Sequence, residues 1–258
     1  MLRNKKNLRP LFSFITLISY IIFLSGCAAI NFKNKHDNLA YDFATEIRKT
    51  NSEIKSAKGL GWLKIKARNA ENSDTHFKIA WVAAPPDKIR ITILSSGFPL
   101  ETVVYNGAKI SIFSHTGKHS LKTYNVKNPS LKEILSIPVN IQDIILLLSG
   151  KIPIQDFQYA FFDNTIKPAI VLKNKLGSGI QKFNVNSKNQ VLRYISADWE
   201  FKPIFEIVFS NYMTIDSTII PFKMLIKDNL DREVTLEISK FYINQPVKNS
   251  LFTLTEQR

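Results

Sequence analysis

One cysteine, four histidines and a scattering of carboxylates are the side chains in this 258-residue sequence with types suited to chemistry. Cys27 stands alone, so the chain can form no intramolecular disulfide and no cysteine metal cluster. The histidines are His36, His76, His115 and His119. The last two flank Thr116-Gly117 in "HTGKH", which reads as a hairpin turn with a surface pair. No neighbouring Cys, Asp or Glu completes a ligand set of the zinc type. "GSGI" at Gly177 reads as a glycine-rich turn. It lacks the strand-to-helix setting of a phosphate loop and the pattern of a nucleophile elbow. Asp and Glu are spread singly along polar strand faces, so no carboxylate pair suggests itself for acid–base work. The residues therefore argue for a binding or structural protein rather than an enzyme, with no catalytic residue, metal ligand or cofactor to assign.

The position of Cys27 carries more meaning than its solitude. The chain opens "MLRNKKNLRP", with four basic and no acidic residues, and continues into an apolar run of 14 residues from Leu11 to Leu24. A basic start, an apolar stretch and a small-residue exit are the layout of a secretory signal. A spanning helix needs roughly 20 apolar residues, so the run is short for a transmembrane anchor. Leu24-Ser25-Gly26-Cys27 resembles the bacterial lipobox. That resemblance implies attachment of a diacylglycerol to Cys27 through a thioether, cleavage before it, and acylation of the new amino terminus by a chain of the palmitate kind. Two or more acyl chains hold a protein stably on a bilayer where one does not. In enteric lipoproteins, Asp after the lipidated cysteine favours retention in the inner membrane. Ala28 and Ala29 stand here instead and imply the outer membrane, with the protein facing the periplasm.

Residues 1–26 thus read as a cleaved signal peptide, 27–36 as a lipidated tether and 37–258 as a single domain. About 230 mature residues suit one domain of an all-β kind. Cleavage leaves 31 basic against 21 acidic residues, a net charge of +10. Such a surplus suits anionic headgroups or nucleic acid. No nucleic-acid module is present and export argues against that partner. Lysines scattered along strand-like segments also describe an ordinary solvated face.

From Leu39 the run "LAYDFATEIRKTNSEIKSAKG" places Leu39, Ala40, Phe43, Ala44 and Ile47 at helical spacing, which predicts an amphipathic helix broken by Gly59 and Gly61. Alternation follows in "WLKIKAR", "HFKIAWVAA" and "KIRITIL", the mark of half-buried antiparallel strands. Asn106-Gly107 in "ETVVYNGAKISIF" is a strong hairpin signal. "NPSLKEILS" and "VNIQDIILLLSG" read as two short helices with Asn128 and Asn140 as caps, the second closed by Gly150. Strands resume from "AIVLKN" to "REVTLEISKFYI", with "NSKNQ" and "KDNLDRE" as hairpin loops. The expected fold is mainly β with α. It is a curled antiparallel sheet of about ten or eleven strands forming an open half-barrel, capped by short helices. A cavity beneath the helices, lined by the aromatic residues, and a tightly packed core are both compatible with the 15 phenylalanines and three tryptophans of the mature chain.

The order helix, strands, helix pair, strands resembles the lipoprotein carrier and receptor family of LolA and LolB. "PPDKIRITILSSGFPLETVVYNG", "LSIPVNIQDIILLLSGKIPI" and the C-terminal "NYMTIDSTIIPFKMLIKDNLDREVTLEISKFYINQPVKNSLFTL" carry the likeness over about a third of the chain. The resemblance implies an unclosed barrel whose cavity takes acyl chains. It also implies a receptor that accepts lipoproteins from a periplasmic carrier and inserts them into the outer membrane. Gly97, Phe98, Pro99 and Leu100 stand at the position of the receptor's apolar membrane-contact loop. That receptor shows a Pro-Leu-Gly order there, whereas this chain has Gly-Phe-Pro-Leu. Face alternation offers Trp62, Phe77, Ile79 and Trp81 as candidate cavity lining. The partners implied are membrane lipid through the Cys27 acyl chains, lipoprotein acyl groups and the carrier. The other reading of the same fold is a non-catalytic assembly lipoprotein that docks a protein partner in the envelope.

Overall fold

A computed structural model describes residues 37–66, 75–132, 139–163, 168–174, 179–230 and 232–255. These fall in one compact unit, His36–Arg258. Cys27, the signal peptide and the tether lie outside the described residues.

Helix α1 spans Asn38–Lys49. Asp37 starts it by accepting the Leu39 and Ala40 amides on its side chain, and Arg48 and Lys49 complement the dipole in the last turn. Its Ala40, Ala44 and Ile47 are buried. The helix stops at Lys49, ten residues before the glycines expected to break it. Asn51 takes a left-handed conformation (φ 62°), and its amide donates to the carbonyls of Gly150 at 2.6 Å and Ile219 at 3.1 Å. That buried pair of bonds fixes the exit of the helix. Gly59 and Gly61 belong to the first strand instead. A Cβ on Gly59 would lie 2.0 Å from the ring of Trp81, so the glycine is there to let that indole lie on the backbone.

The first half of the sheet comprises β1 (Ala57–Lys66), β2 (Thr75–Ala84), β3 (Lys88–Ser95), β4 (Phe98–Asn106), β5 (Lys109–Ser114) and β6 (Lys122–Asn125). The second comprises β7 (Tyr159–Asp163), β8 (Ala169–Lys173), β9 (Ile180–Val185), β10 (Val191–Ala197), β11 (Pro203–Ile215), β12 (Thr218–Asp228) and β13 (Glu233–Ile243). All thirteen join one antiparallel, curled and unclosed sheet in the order β6-β5-β4-β3-β2-β1-β13-β12-β11-β10-β9-β8-β7. Two meanders are thus zipped together by the pairing of β1 with β13, from Ala57–Ile243 to Lys66–Glu233. The sheet exceeds the expected strand count. β7 is the strand that alternation does not announce, because "YAFFD" is a short apolar edge on which α1 packs.

Helix α2 spans Ile141–Leu148 and Gly150 (φ 71°) closes it as expected. Of the earlier helix expected in "NPSLKEILS", residues 133–136 lie outside those described. Asn128 does cap a helix, but it is α2: its side-chain carbonyl accepts the Gln142 amide at 3.1 Å. Asn140 occupies the N-cap position and makes no side-chain cap bond. The core sits on the inner face of the sheet, where Trp81, Tyr105, Ile145, Phe183, Ile207 and Phe209 are all nearly inaccessible. A short 3-10 turn, Asn249–Phe252, covers part of the outer face at β3 and β4 and buries Phe252.

Candidate functional site: an apolar cavity under helix α2

Period-two alternation sends one set of β1–β4 side chains inward. Cross-strand neighbours then line up in rows, such as Leu63 beside Phe77, Gly61 beside Ile79, and Ile91 beside Val103. Helix α2 lies across these rows without filling the space beneath. A cavity of about 250 Å³ remains. Its walls are inward residues of β1–β4, Met224 and Ile226 of β12, Val234 and Leu236 of β13, and Ile141, Ile144, Leu147 and Leu148 of α2. The volume falls just under the roughly 300–1,000 Å³ of small-molecule sites. It exceeds the roughly 150 Å³ that stays dry and admits benzene when lined by aliphatic side chains. The space suits a length of aliphatic chain.

Three contacts hold α2 over the cavity. The Trp81 indole N–H donates to the Leu148 carbonyl at 2.9 Å, tying the helix C-terminus to β2. Asn128 and the Pro129 carbonyl accept the Gln142 and Ile141 amides at the N-terminus. On the side facing the second meander, the buried Asp143 accepts a hydrogen bond from the Gln155 amide. The Gln155 backbone N–H in turn donates to Gln181, which also accepts the Tyr194 hydroxyl at 3.2 Å. Burial pushes the Asp143 carboxyl up to about 6, against the lowering effect of hydrogen bonds from the Asn140 backbone and Gln155. Burial, helped by the Asp143 charge, also holds the Tyr194 phenol well above its ordinary range.

The structure sorts the candidate lining residues by strand parity. Phe77 and Ile79 line the cavity. Trp81 is 2 % exposed on the same face, but its ring serves as the pin for α2 rather than as a wall. Trp62 is placed differently. It sits between inward Gly61 and Leu63, opposite Lys78 and Glu237, so it projects from the outer face and is half exposed. There it borders a shallow surface depression with Gly97 and Leu100. Trp62 is not cavity lining, because adjacent strand residues face opposite ways.

Ser96 (φ 48°) and Gly97 (φ 88°) form a two-residue hairpin turn between β3 and β4, both in the left-handed region that such turns require. Phe98 follows at the tip and is 74 % exposed, so it does not fold back on the sheet. Pro99 is exposed and Leu100 partly so. Sequence reasoning passed over other residues at this end. Antiparallel order brings the β3–β4, β10–β11 and β12–β13 turns to one end of the strands. Trp199 (68 % exposed), Phe201 and Leu230 stand on the last two of these turns. An apolar aromatic residue beside turn-forming residues marks Phe98, and the same pattern stands in "DWEFK". Glu101 was also missed. It faces the cavity although it is charged.

No family model and no curated protein matches the sequence. The fold does match solved structures. A LolA superfamily protein from Nitrosomonas europaea superposes with a TM-score of 0.60, covering 83 % of this chain and 97 % of the other at 12 % identity. A DUF1329 family protein from Desulfovibrio piger gives 0.61, with 84 % and 96 % covered at 10 % identity. An outer membrane lipoprotein-sorting protein domain from Vibrio parahaemolyticus gives 0.59, with 83 % and 96 % covered at 13 % identity. The chain therefore has the LolA-like fold, an unclosed antiparallel half-barrel with helices on its inner face.

Proposed function

We propose that this chain is a lipid-anchored binding protein of the bacterial outer membrane. It takes acyl chains into the cavity beneath α2, receives lipoproteins from a periplasmic carrier and inserts them into the membrane. The apolar cavity, set in a fold shared with a lipoprotein-sorting domain, is the observation that carries this reading. Acyl chains in water carry a transfer penalty of about 0.8 kcal/mol per methylene. A protein that moves them must therefore offer a dry enclosure from start to finish. Cys27, acylated, is the anchor. Phe98, with Leu100 beside it, enters the bilayer at the moment of release. Burying one such ring in lipid gains roughly 1.5–3 kcal/mol, enough for transient insertion and too little for anchoring. Trp62, Trp199 and Phe201 add interfacial contact of the kind that Trp residues make at headgroup level.

The test uses a chain starting at residue 27 with Cys27→Ala, mixed with the carrier–lipoprotein complex of the same organism. Transfer of the lipoprotein to this acceptor is expected. In the acylated protein, Phe98→Glu should abolish delivery to membranes while leaving transfer from the carrier intact. No transfer to a folded acceptor from a competent carrier would instead assign the fold to docking a protein partner.

A further inference from the structure

Among the described residues the cavity has one charged wall: eighteen of them line it, seventeen apolar, and the other is Glu101. A carboxylate against so much apolar surface needs a reason, and the backbone supplies a device that puts it there. In β4 the ladder runs Ser95–Phe98, Leu94–Pro99 and then Ile93–Glu101, so Leu100 is an extra residue in a β-bulge. Without that bulge Leu100 would stand opposite Ile93 on the cavity side and Glu101 would face out. Bulges re-aim side chains in this way and are concentrated at functional sites. The result here replaces an aliphatic wall with an acid.

The Glu101 side chain is one-third exposed, which places it where the cavity meets solvent. Its ion-pair partner among the described residues is His119, with Nε2 3.6 Å from Oε2. That separation is beyond hydrogen-bonding range, and the His119 Nδ1 is already within 2.8 Å of the Ser120 carbonyl. The carboxylate thus retains accepting capacity at the mouth of an apolar cavity.

We propose that Glu101 selects the head group of the bound chain. The cavity takes an aliphatic tail attached to an N–H donor or a cation, such as an amide or an amine, and rejects a tail that ends in a carboxylate. This rests on the acyl-chain reading of the cavity. It adds that free fatty acids are excluded while chains joined through nitrogen are accepted. Carboxylate lone pairs receive N–H donors in charge-assisted bonds, whereas two carboxylates close together cannot both remain ionised without cost.

The experiment uses the chain from residue 27 with Cys27→Ala, since the described unit carries its own core. The neutral fluorophore N-phenyl-1-naphthylamine fills the cavity, and dodecylamine, N-methyldodecanamide and dodecanoate compete for it below their aggregation thresholds. The mature chain's net charge of +10 by itself favours the anion, so the expected preference runs against it. Dodecylamine should displace the fluorophore about tenfold more tightly than dodecanoate, with the amide between them. Glu101→Gln should erase that order, and Glu101→Asp should keep it. Equal displacement by amine and carboxylate in the unaltered protein overturns the proposal whether or not the variants fold. So does a preference that survives in Glu101→Gln. Failure of the fluorophore and all three chains to bind overturns the acyl-chain reading itself, which is a distinguishable result.

Discussion

Asp143 illustrates how one side chain can couple the cavity to pH. It is 4 % exposed at the start of α2, and its carboxyl is raised to about 6, chiefly by burial. The folded state therefore holds this proton more tightly than the unfolded chain does. The associated stabilisation is present below about pH 4 and is lost as pH rises through about 6. Asp143→Asn keeps the shape and the hydrogen bond with Gln155 but cannot ionise. Its stability relative to the unaltered protein should grow by about 1–3 kcal/mol between pH 4 and pH 7.5, read from urea midpoints at each pH. A constant difference across that range would show that Asp143 is not held protonated by its surroundings. Glu101 makes the complementary point. Its identity was plain from the sequence, but a one-residue bulge decides which face it takes.

Helix α2 is held over the cavity by bonds at both ends, and among the described residues the Trp81–Leu148 bond reaches the sheet directly. Trp81→Phe removes the donor together with part of the ring that lies over Gly59. A buried carbonyl left without its partner costs about 1–3 kcal/mol. The variant should unfold at correspondingly lower urea, and amides of α2 should exchange with solvent faster than those of β11 and β12. Uniform exchange would mean that α2 is not separately tied. The β3–β4 hairpin behaves in the opposite way. Its tip residue Phe98 makes no core contribution, so its replacement should change membrane delivery without changing stability beyond about 0.5 kcal/mol. These two elements were readable to different degrees. The turn was announced by Gly97 and Pro99 on either side of Phe98, and α2 by its apolar run and Gly150. Asn128 as the cap of α2 was hidden, because it acts on an amide fourteen residues away.

Across the whole His36–Arg258 unit, the pairing of β1 with β13 joins residues nearly the full length of the domain apart. Six strands lie on one side of that seam and seven on the other. Four cavity walls, Leu63, Ile65, Val234 and Leu236, come from the two seam strands. A chain that ends at Asp228 keeps twelve strands in sequence but loses the strand that unites them. It should show no cooperative thermal transition by circular dichroism, and the cavity fluorophore should not bind. A cooperative transition in that chain would mean that each meander is stable alone. Closing such long-range contacts before any reward is collected also puts refolding in the slow range of all-β proteins, about milliseconds to seconds.

The amino-acid order alone determined the class of the domain: strands by alternation, hairpins by Asn-Gly and Thr-Gly, one helix by 3.6-residue spacing and another by an apolar run closed at Gly150, and an open sheet too long to remain flat. It did so because these signals are local, each settled by a few neighbouring residues competing for one backbone conformation. It could not decide whether the inner face was packed or hollow, since that depends on how far α2 stands from the sheet. Nor could it decide that Trp62 faces out while Phe77 and Ile79 face the cavity, that Trp81 pins a helix, or that Gly59 is the seat of a ring rather than the end of one. Those outcomes follow from register between strands distant in the chain. A shift of one residue exchanges the two faces, and only the assembled ladder fixes it.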